Sequence, residues 1–394
     1  MKMRNLPLAL LFVSLLTAHD SQLTTAFAAQ EPVVRVAVLQ EVQGVRVTVL
    51  APCRLKDLAT GSVLGQWSDL KWQAVEAGNP GIKISSIQTE SRAVLLEPRQ
   101  EAILRINARP YRGSLIFIQT PRGRLTVINR LGLEEYLVGA LGSEVNPAWP
   151  AEALKAHAVV SRTMIAHRIW ISQDLPFDVT ADTETHLYHG VSGEREQTRA
   201  AVQATQWQVL AYQGELLSAA FHANCGGHTE DAAELWQVRG DLAPLKGRPD
   251  PYCKGLRHFH WRTDLSAKEL MKRLGEGARG VGDLNRLEIL ERNDSGRVRR
   301  VRLKGSSGGV TLPGKKFREL LGANRLRSLN FNVRFSDGTV SFDGFGWGHG
   351  VGLCQWGAYG MAVQGRTMDE ILDFYFPGAH RRDLKGLPGF PANS

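Results

Sequence analysis

The 394-residue chain has only four cysteines, Cys53, Cys225, Cys253 and Cys354, and no two of them form a Cys-x-x-Cys pair. That absence argues against a zinc ribbon and against a thioredoxin-like redox site. After the first 30 residues no stretch stays apolar for long enough to cross a bilayer as a helix. Internal repeats and sustained heptads are also missing, which excludes solenoids and long coiled coils. Residues 151–171 lack glycine and proline, so nothing there interrupts a long helix.

What is present begins with Lys2 and Arg4, an apolar run over 6–16, and Ala26-Phe27-Ala28. These are the three parts of a secretory signal, here 1–29, and the apolar run is too short to span a membrane. The expected product starts near Ala29 or Gln30 and is exported and soluble, in the periplasm or cell wall; a retained anchor is the alternative. About 365 residues remain, room for two or three domains. The formal charge of +9 falls to +8 without the signal. In an exported chain that basic balance points to anionic envelope polymers or lipid headgroups rather than to nucleic acid. An oxidising compartment favours disulfides, and a Cys225–Cys253 bond is the preferred pairing, although spacing alone does not fix it.

Apolar and polar residues alternate in short runs across 30–110, as in Val34-Arg35-Val36-Ala37-Val38 and Val45-Arg46-Val47-Thr48-Val49, which predicts a β-rich region. Runs at 114–119 and 125–129 flank Pro121-Arg122-Gly123-Arg124 and read as a hairpin. A short helix over 133–141, a long one over 150–171 and another over 194–206 follow. Residues 111–257 thus form a central region, and 258–340 a smaller α/β region with a capping box at Ser266-Ala267-Lys268-Glu269. Residues 341–385 complete the core and 386–394 form a disordered tail. The fold class is α+β.

Three stretches are rich in polar and small residues where a packed core would be apolar. The first, Gly142-Ser143-Glu144-Val145-Asn146-Pro147-Ala148-Trp149-Pro150, places a carboxyl in a Pro-rich turn before the long helix, and Glu144 is the candidate acid/base residue. A solvated loop glutamate is the competing reading. The second runs from Phe221 through His222, Cys225 and His228, and the third from Gly344 through Trp347, His349, Gln355 and Trp356. Glycine density with flat aromatic and imidazole faces suits a polysaccharide groove. His222, Cys225 and His228 are an alternative zinc set without an evident fourth ligand, and Cys354 beside His349 an alternative nucleophile.

Leu133-Glu134-Glu135-Tyr136-Leu137, Gly142-Ser143-Glu144, Trp149-Pro150, Glu152-Ala153-Leu154-Lys155-Ala156 and Ser161-Arg162-Thr163 together resemble the stage II sporulation protein D family, also called the SpoIID/LytB or amidase-enhancer family. Cys225-Gly226-Gly227 and Gly346-Trp347-Gly348-His349-Gly350-Val351-Gly352, with Gln355-Trp356-Gly357-Ala358, match its later motifs in the same order. The resemblance spans nearly the whole chain after the signal.

It implies a lytic transglycosylase that cuts peptidoglycan glycan strands between N-acetylmuramic acid and N-acetylglucosamine. Glu144 would act as acid and then as base, leaving 1,6-anhydro ends. The substrate-binding set is then Arg162, His186, Tyr188, His222, His349, Gln355 and Trp356, with Asp178, Asp182 or Glu184 supplying charge. No cofactor is required, and a cell-wall amidase is the implied partner. The chain departs from the family pattern in two places. His157 stands where the family usually has Gln, and a Cys…His-Cys zinc cluster found in some members is reduced to His186. A zinc site of that kind is not expected. A non-catalytic activator of an amidase is the rival function.

Overall fold

The computed structural model describes residues 31–181, 187–236 and 242–387; the expected signal and nearly all of the expected tail lie outside them. The alternation in the first hundred residues becomes two sheets. One has seven strands in the order Val179–Thr180, Val33–Val42, Leu125–Gly132, Ser114–Gln119, Ala93–Pro98, Cys53–Asp57 and Val63–Trp67. The other has six, from Arg109–Tyr111 to Ile87–Gln88, with Gly44–Val49 and Leu70–Ala77 at its centre. Because side chains alternate across a strand, Val47, Val49 and Val75 of one sheet and Val94, Leu96 and Leu115 of the other face a single apolar core. The expected hairpin is present, with Gln119 opposite Leu125 and the Thr120 amide donating to the Arg124 carbonyl at 2.7 Å.

Eight helices occur among the described residues: α1 (Leu133–Glu144), α2 (Ala151–Ile171), α3 (Glu196–Ala204), α4 (Ala232–Leu235), α5 (Ala267–Leu274), α6 (Gly314–Leu321), α7 (Gln355–Val363) and α8 (Met368–Tyr375). Helix α2 lies between two cores. Leu154, Ala158, Ile165 and Ile169 join the sheet core, while Ala156, Val159 and Val160 join a second core with α7, α8 and the segment around Cys225. A helix buried on both sides needs small residues, and alanine at 153, 156, 158 and 166 meets that need.

Residues 260–345 close a third core of their own around Phe317, Phe331 and Phe342. Two antiparallel three-stranded sheets, with α5 and α6, enclose it. Ser266 caps α5 by accepting from the Glu269 amide at 3.1 Å, but the Glu269 carboxylate turns to Arg273, so only half of the expected capping box forms. This unit separates two segments that nevertheless pair. Phe221–His222 runs parallel to Leu353–Cys354, which brings the second and third polar stretches of the sequence side by side.

The structure corrects the setting of Glu144. The residue ends α1 rather than sitting in a turn, and Pro147 and Pro150 begin only after it. The reason is tertiary. Helix α1 packs directly on the backbone of residues 190–193, and a Cβ on Gly142 would meet the Gly193 carbonyl oxygen at 2.1 Å. Packing of that closeness holds the last turn in helical form. Gly142→Ala is therefore expected to force the two backbones apart and lower stability by about 1–3 kcal/mol in urea unfolding, with no change in the helical content of the folded state by circular dichroism.

Candidate functional site

A cleft of about 650 Å³ opens between α2, the paired segments around His222 and Gly348–Gln355, and the last turn of α1. Glu144 lines it, and no other carboxyl does so among the described residues. Met164, His167, Arg168 and Ile171 form one wall. Their spacing is the i, i+3, i+4, i+7 stripe of a helix face, with Met164 also packed against the sheet core. That stripe was readable in the sequence, and it is the part of the site that motif reasoning missed. His222, Trp347, His349 and Gln355 form the opposite wall, with Trp236 at its edge.

Among the described residues Glu144 has one hydrogen-bond partner: the Leu187 amide donates to its Oε1 at 2.5 Å. Burial outweighs that bond and raises the carboxyl to about 7, well above the ordinary range. Its place at the carboxyl end of α1 acts in the same direction, since the last carbonyls of a helix disfavour a negative charge. The helix that follows begins only at Ala151, so its positive end does not offset this.

The two histidines of the wall are both held neutral by burial, and they differ in what their nitrogens do. His222 is buried and lies well below the usual imidazole range through burial, with His349 and Arg297 adding to the effect. Its Nδ1 faces the Val351 carbonyl at 3.1 Å and so carries the hydrogen, which leaves Nε2 as an acceptor. That nitrogen is buried and has no hydrogen-bond partner among the described residues. His349, at about 4 through burial, accepts from the Val351 amide on Nδ1 at 3.1 Å and bonds the Phe221 backbone. Its nitrogens are spent on holding the wall together. The rings of His222 and His349 meet edge to face at 5.5 Å.

Gln355 is fixed from behind. Its Nε2 contacts His157 Nε2 at 2.9 Å, and His157 Nδ1 contacts Ser161 Oγ at 3.0 Å. Burial keeps His157 at about 4, so a neutral ring accepts from Gln355 and donates to Ser161. His157 thus orients a side chain of the cleft.

Several residues expected to bind substrate do something else. Arg162 is wholly buried and clasps Glu134 through two nitrogens at 2.6 and 2.7 Å, while also bonding the carbonyls of Val202 and Gln208. It ties α1, α2 and α3 to the strand Gln208–Tyr212. Tyr188 is buried behind the site, with its hydroxyl donating to Asn129 Oδ1 at 2.8 Å. Trp356 lies outside the cleft lining and packs on Trp149 and Tyr359, with ring centres at 4.9 and 5.2 Å. Asp178 is consumed by Arg35 at 2.6 Å and by the Ser172 hydroxyl. His186, Asp182 and Glu184 fall outside the described residues.

The expected Cys225–Cys253 disulfide is not formed. All four cysteines are free thiols, and the two sulfurs stand 3.3 Å apart. Nor do His222 and His228 join Cys225 as a ligand set, because the His228 Nδ1 turns to the Thr229 carbonyl at 2.6 Å.

Residues 121–212 match a protein family described as Stage II sporulation protein (SpoIID), and 245–352 match a domain of unknown function, DUF8618. An uncharacterized protein of Brachyspira hyodysenteriae is 33% identical over 299 residues, covering 76% of this chain and 78% of that protein. Stage II sporulation protein D of Bacillus subtilis is 28% identical over 314 residues, 75% of this chain and 85% of its own length. This chain belongs to the SpoIID/LytB family. An amidase enhancer of Bacillus subtilis is 26% identical over 61% of the chain, which spans 39% of that longer protein. The SpoIID match begins at the hairpin and ends in the strand after α3, so it contains Glu144, all of α2 and the Arg162 clasp, and not the His222 and His349 wall.

Two outcomes follow from this geometry. Arg162→Ala leaves the Glu134 carboxylate without its partner, and is expected to cost about 3–5 kcal/mol in chemical unfolding, as a structural and not a substrate-binding residue would. Glu144 is protonated more readily when folded than when unfolded, so its contribution is complete below its unfolded pKa and is lost as pH rises through about 7. Glu144→Gln is therefore expected to raise stability by about 2–3 kcal/mol at pH 8 and by little at pH 4, measured by denaturant melts at the two values.

Proposed function

We propose that this protein is an exported lytic transglycosylase that cleaves peptidoglycan glycan strands at the bond from N-acetylmuramic acid to N-acetylglucosamine. The observation that carries the reading is a carboxyl raised to about 7, the only one lining the cleft among the described residues, facing neutral imidazoles, indoles and an amide. Hydrolases of the two-carboxyl kind need a second acid at a set distance to activate water or to act as nucleophile. A lyase forming an internal ring needs only one.

In this reaction the Leu187 amide occupies Oε1, so the proton of the neutral Glu144 resides on Oε2. Glu144 donates that proton to the bridging oxygen while the bond from the muramyl C1 to that oxygen breaks, and positive charge spreads over C1 and the ring oxygen. The resulting carboxylate takes the proton of the muramyl C6 hydroxyl as the C6 oxygen bonds to C1. Atoms and charge balance: one glycosidic bond is exchanged for one 1,6-anhydro bond, and Glu144 ends protonated as it began. The Leu187 N–H steadies the carboxylate in the interval. His222 Nε2, which has no partner among the described residues, suits an N–H or O–H of the sugar.

The relative named as an amidase enhancer supports a second reading, a wall-binding protein that activates an amidase. In the first reading an amidase is also a natural partner, because removing stem peptides exposes the glycan that the cleft accepts.

Purified protein and isolated glycan, with and without stem peptides, distinguish the two. The enzyme reading expects anhydro-muramyl ends by mass spectrometry from the protein alone, with release reduced at least a thousandfold in Glu144→Gln, roughly the worth of a positioned general acid. Because the acid must be protonated, kcat/KM is expected to be level below pH 7 and to fall about tenfold per unit above it. No anhydro ends from either glycan, with stem-peptide release by an added amidase accelerated equally by the unaltered protein and by Glu144→Gln, would establish the activator instead.

A further inference from the structure

Directly behind the wall that carries His222 and Gln355, three of the four cysteines converge with one carboxylate. Cys225, Asp250, Cys253 and Cys354 are all buried, and their sulfur and oxygen atoms lie within 4.8 Å of one another. Cys225 Sγ is 3.3 Å from Cys253 Sγ and 3.1 Å from Asp250 Oδ2. We propose that these four side chains are a structural zinc site, with Cys225, Cys253 and Cys354 supplying thiolates and Asp250 supplying Oδ2.

The donor set and its size fit that ion. Zinc–sulfur bonds of about 2.3 Å in a tetrahedron separate the ligand atoms by about 3.8 Å, so the cluster needs adjustments of only about an ångström. Three sulfurs and one oxygen suit a borderline-soft ion, and four protein ligands leave no position for water, as in a closed structural site. A disulfide is a poorer account of the same atoms. It would consume two sulfurs and leave the third thiol and the carboxylate buried together.

Backbone amides point at two of the three sulfurs. The Cys225 and Gly357 amides donate to Cys354 Sγ at 3.2 and 3.3 Å, the latter from the first turn of α7. The amides of Gly226 and Gly227 hydrogen-bond Cys253. Asp250 is aimed by the Tyr375 hydroxyl on Oδ2 at 2.9 Å and by the Tyr252 amide on Oδ1 at 2.9 Å. Gly357 must be small for this, since a Cβ there would lie 1.9 Å from the Tyr375 oxygen and 2.6 Å from Asp250 Oδ2. Beside the cluster the buried Arg297 guanidinium, bonded to the Cys225 carbonyl at 2.8 Å, offsets the negative charge of three thiolates and a carboxylate around a dication. Outer partners of this kind fix ligand orientation in metal sites.

The site would knot three segments that lie far apart in sequence: the end of the Phe221–His222 strand, the Asp250–Cys253 turn and the start of α7. Cys225 follows His222 by three residues and Cys354 adjoins Gln355, so the ion would brace the cleft from outside it. This inference is independent of the reaction proposed above.

The test uses the full mature chain folded with zinc sulfate and dialysed against metal-free buffer, with metal measured by mass spectrometry and thiols counted by alkylation of the denatured, unreduced protein. One zinc per chain and four alkylatable thiols are expected. Cobalt in place of zinc is expected to show thiolate charge-transfer bands. Asp250→Asn and Cys354→Ser are each expected to weaken zinc retention at least tenfold against a chelator, the effect of losing one ligand or more, while Cys53→Ala retains one equivalent. A Cys225–Cys253 disulfide, a metal-free protein after zinc loading, or undiminished zinc in both ligand variants would overturn the assignment.

Discussion

The clasp between Arg162 and Glu134 is the interaction on which the rest of the half that carries the cleft depends. A guanidinium buried in the middle of a helix is costly unless every face of it is satisfied. Here the carboxylate of α1, the end of α3 and the first residue of the following strand satisfy it together. Because the group cannot ionise away its charge, these elements have one arrangement that avoids an unpaired buried cation. That arrangement fixes α1 against α2, and the cleft lies between the last turn of α1, the later turns of α2 and the paired segments around His222 and Gly348–Gln355.

The electrostatics of the cleft follow from that frame. A carboxyl at the carboxyl end of α1, enclosed by α2 and by the backbone at Leu187, loses water and gains one hydrogen bond. Desolvation dominates, so the group is poised near neutrality instead of ionised. The opposite wall follows the same rule. Burial holds His157, His222 and His349 neutral, and each neutral ring has a definite donor and acceptor face. Two of these rings spend both nitrogens on the protein, and His222 keeps one free for a ligand.

Much of this was legible in one dimension. The alternation of Val45, Val47 and Val49 led to a strand, the uninterrupted run after Pro150 to a 21-residue helix, and Gly142-Ser143-Glu144 to the one carboxyl that lines the cleft among the described residues. Arg162, Tyr188 and Trp356 were misread because a motif shows that residue types occur together, not whether a side chain faces a cavity or a core. Arg162 lies two positions from Met164 on the same helix, yet these point about 200° apart around the axis, one to the clasp and one to the cleft. The stripe 164, 167, 168, 171 was overlooked because it carries no unusual residue, only a spacing.

The sequence by itself determined the local periods, the family and the presence of a carboxyl before a long helix, because these depend on neighbours within a few residues. Tertiary structure alone decided that Glu144 would close α1, that its charge would be suppressed, and which histidines would have a free nitrogen. Each of those depends on desolvation and on partners 40 to 200 residues away, such as Leu187 for Glu144 and Gln355 for His157. It also decided the state of Cys225 and Cys253, whose spacing suits a bond but whose surroundings add a third sulfur and a carboxylate. Solvent exclusion is a property of the packed whole, and no short stretch of chain encodes it.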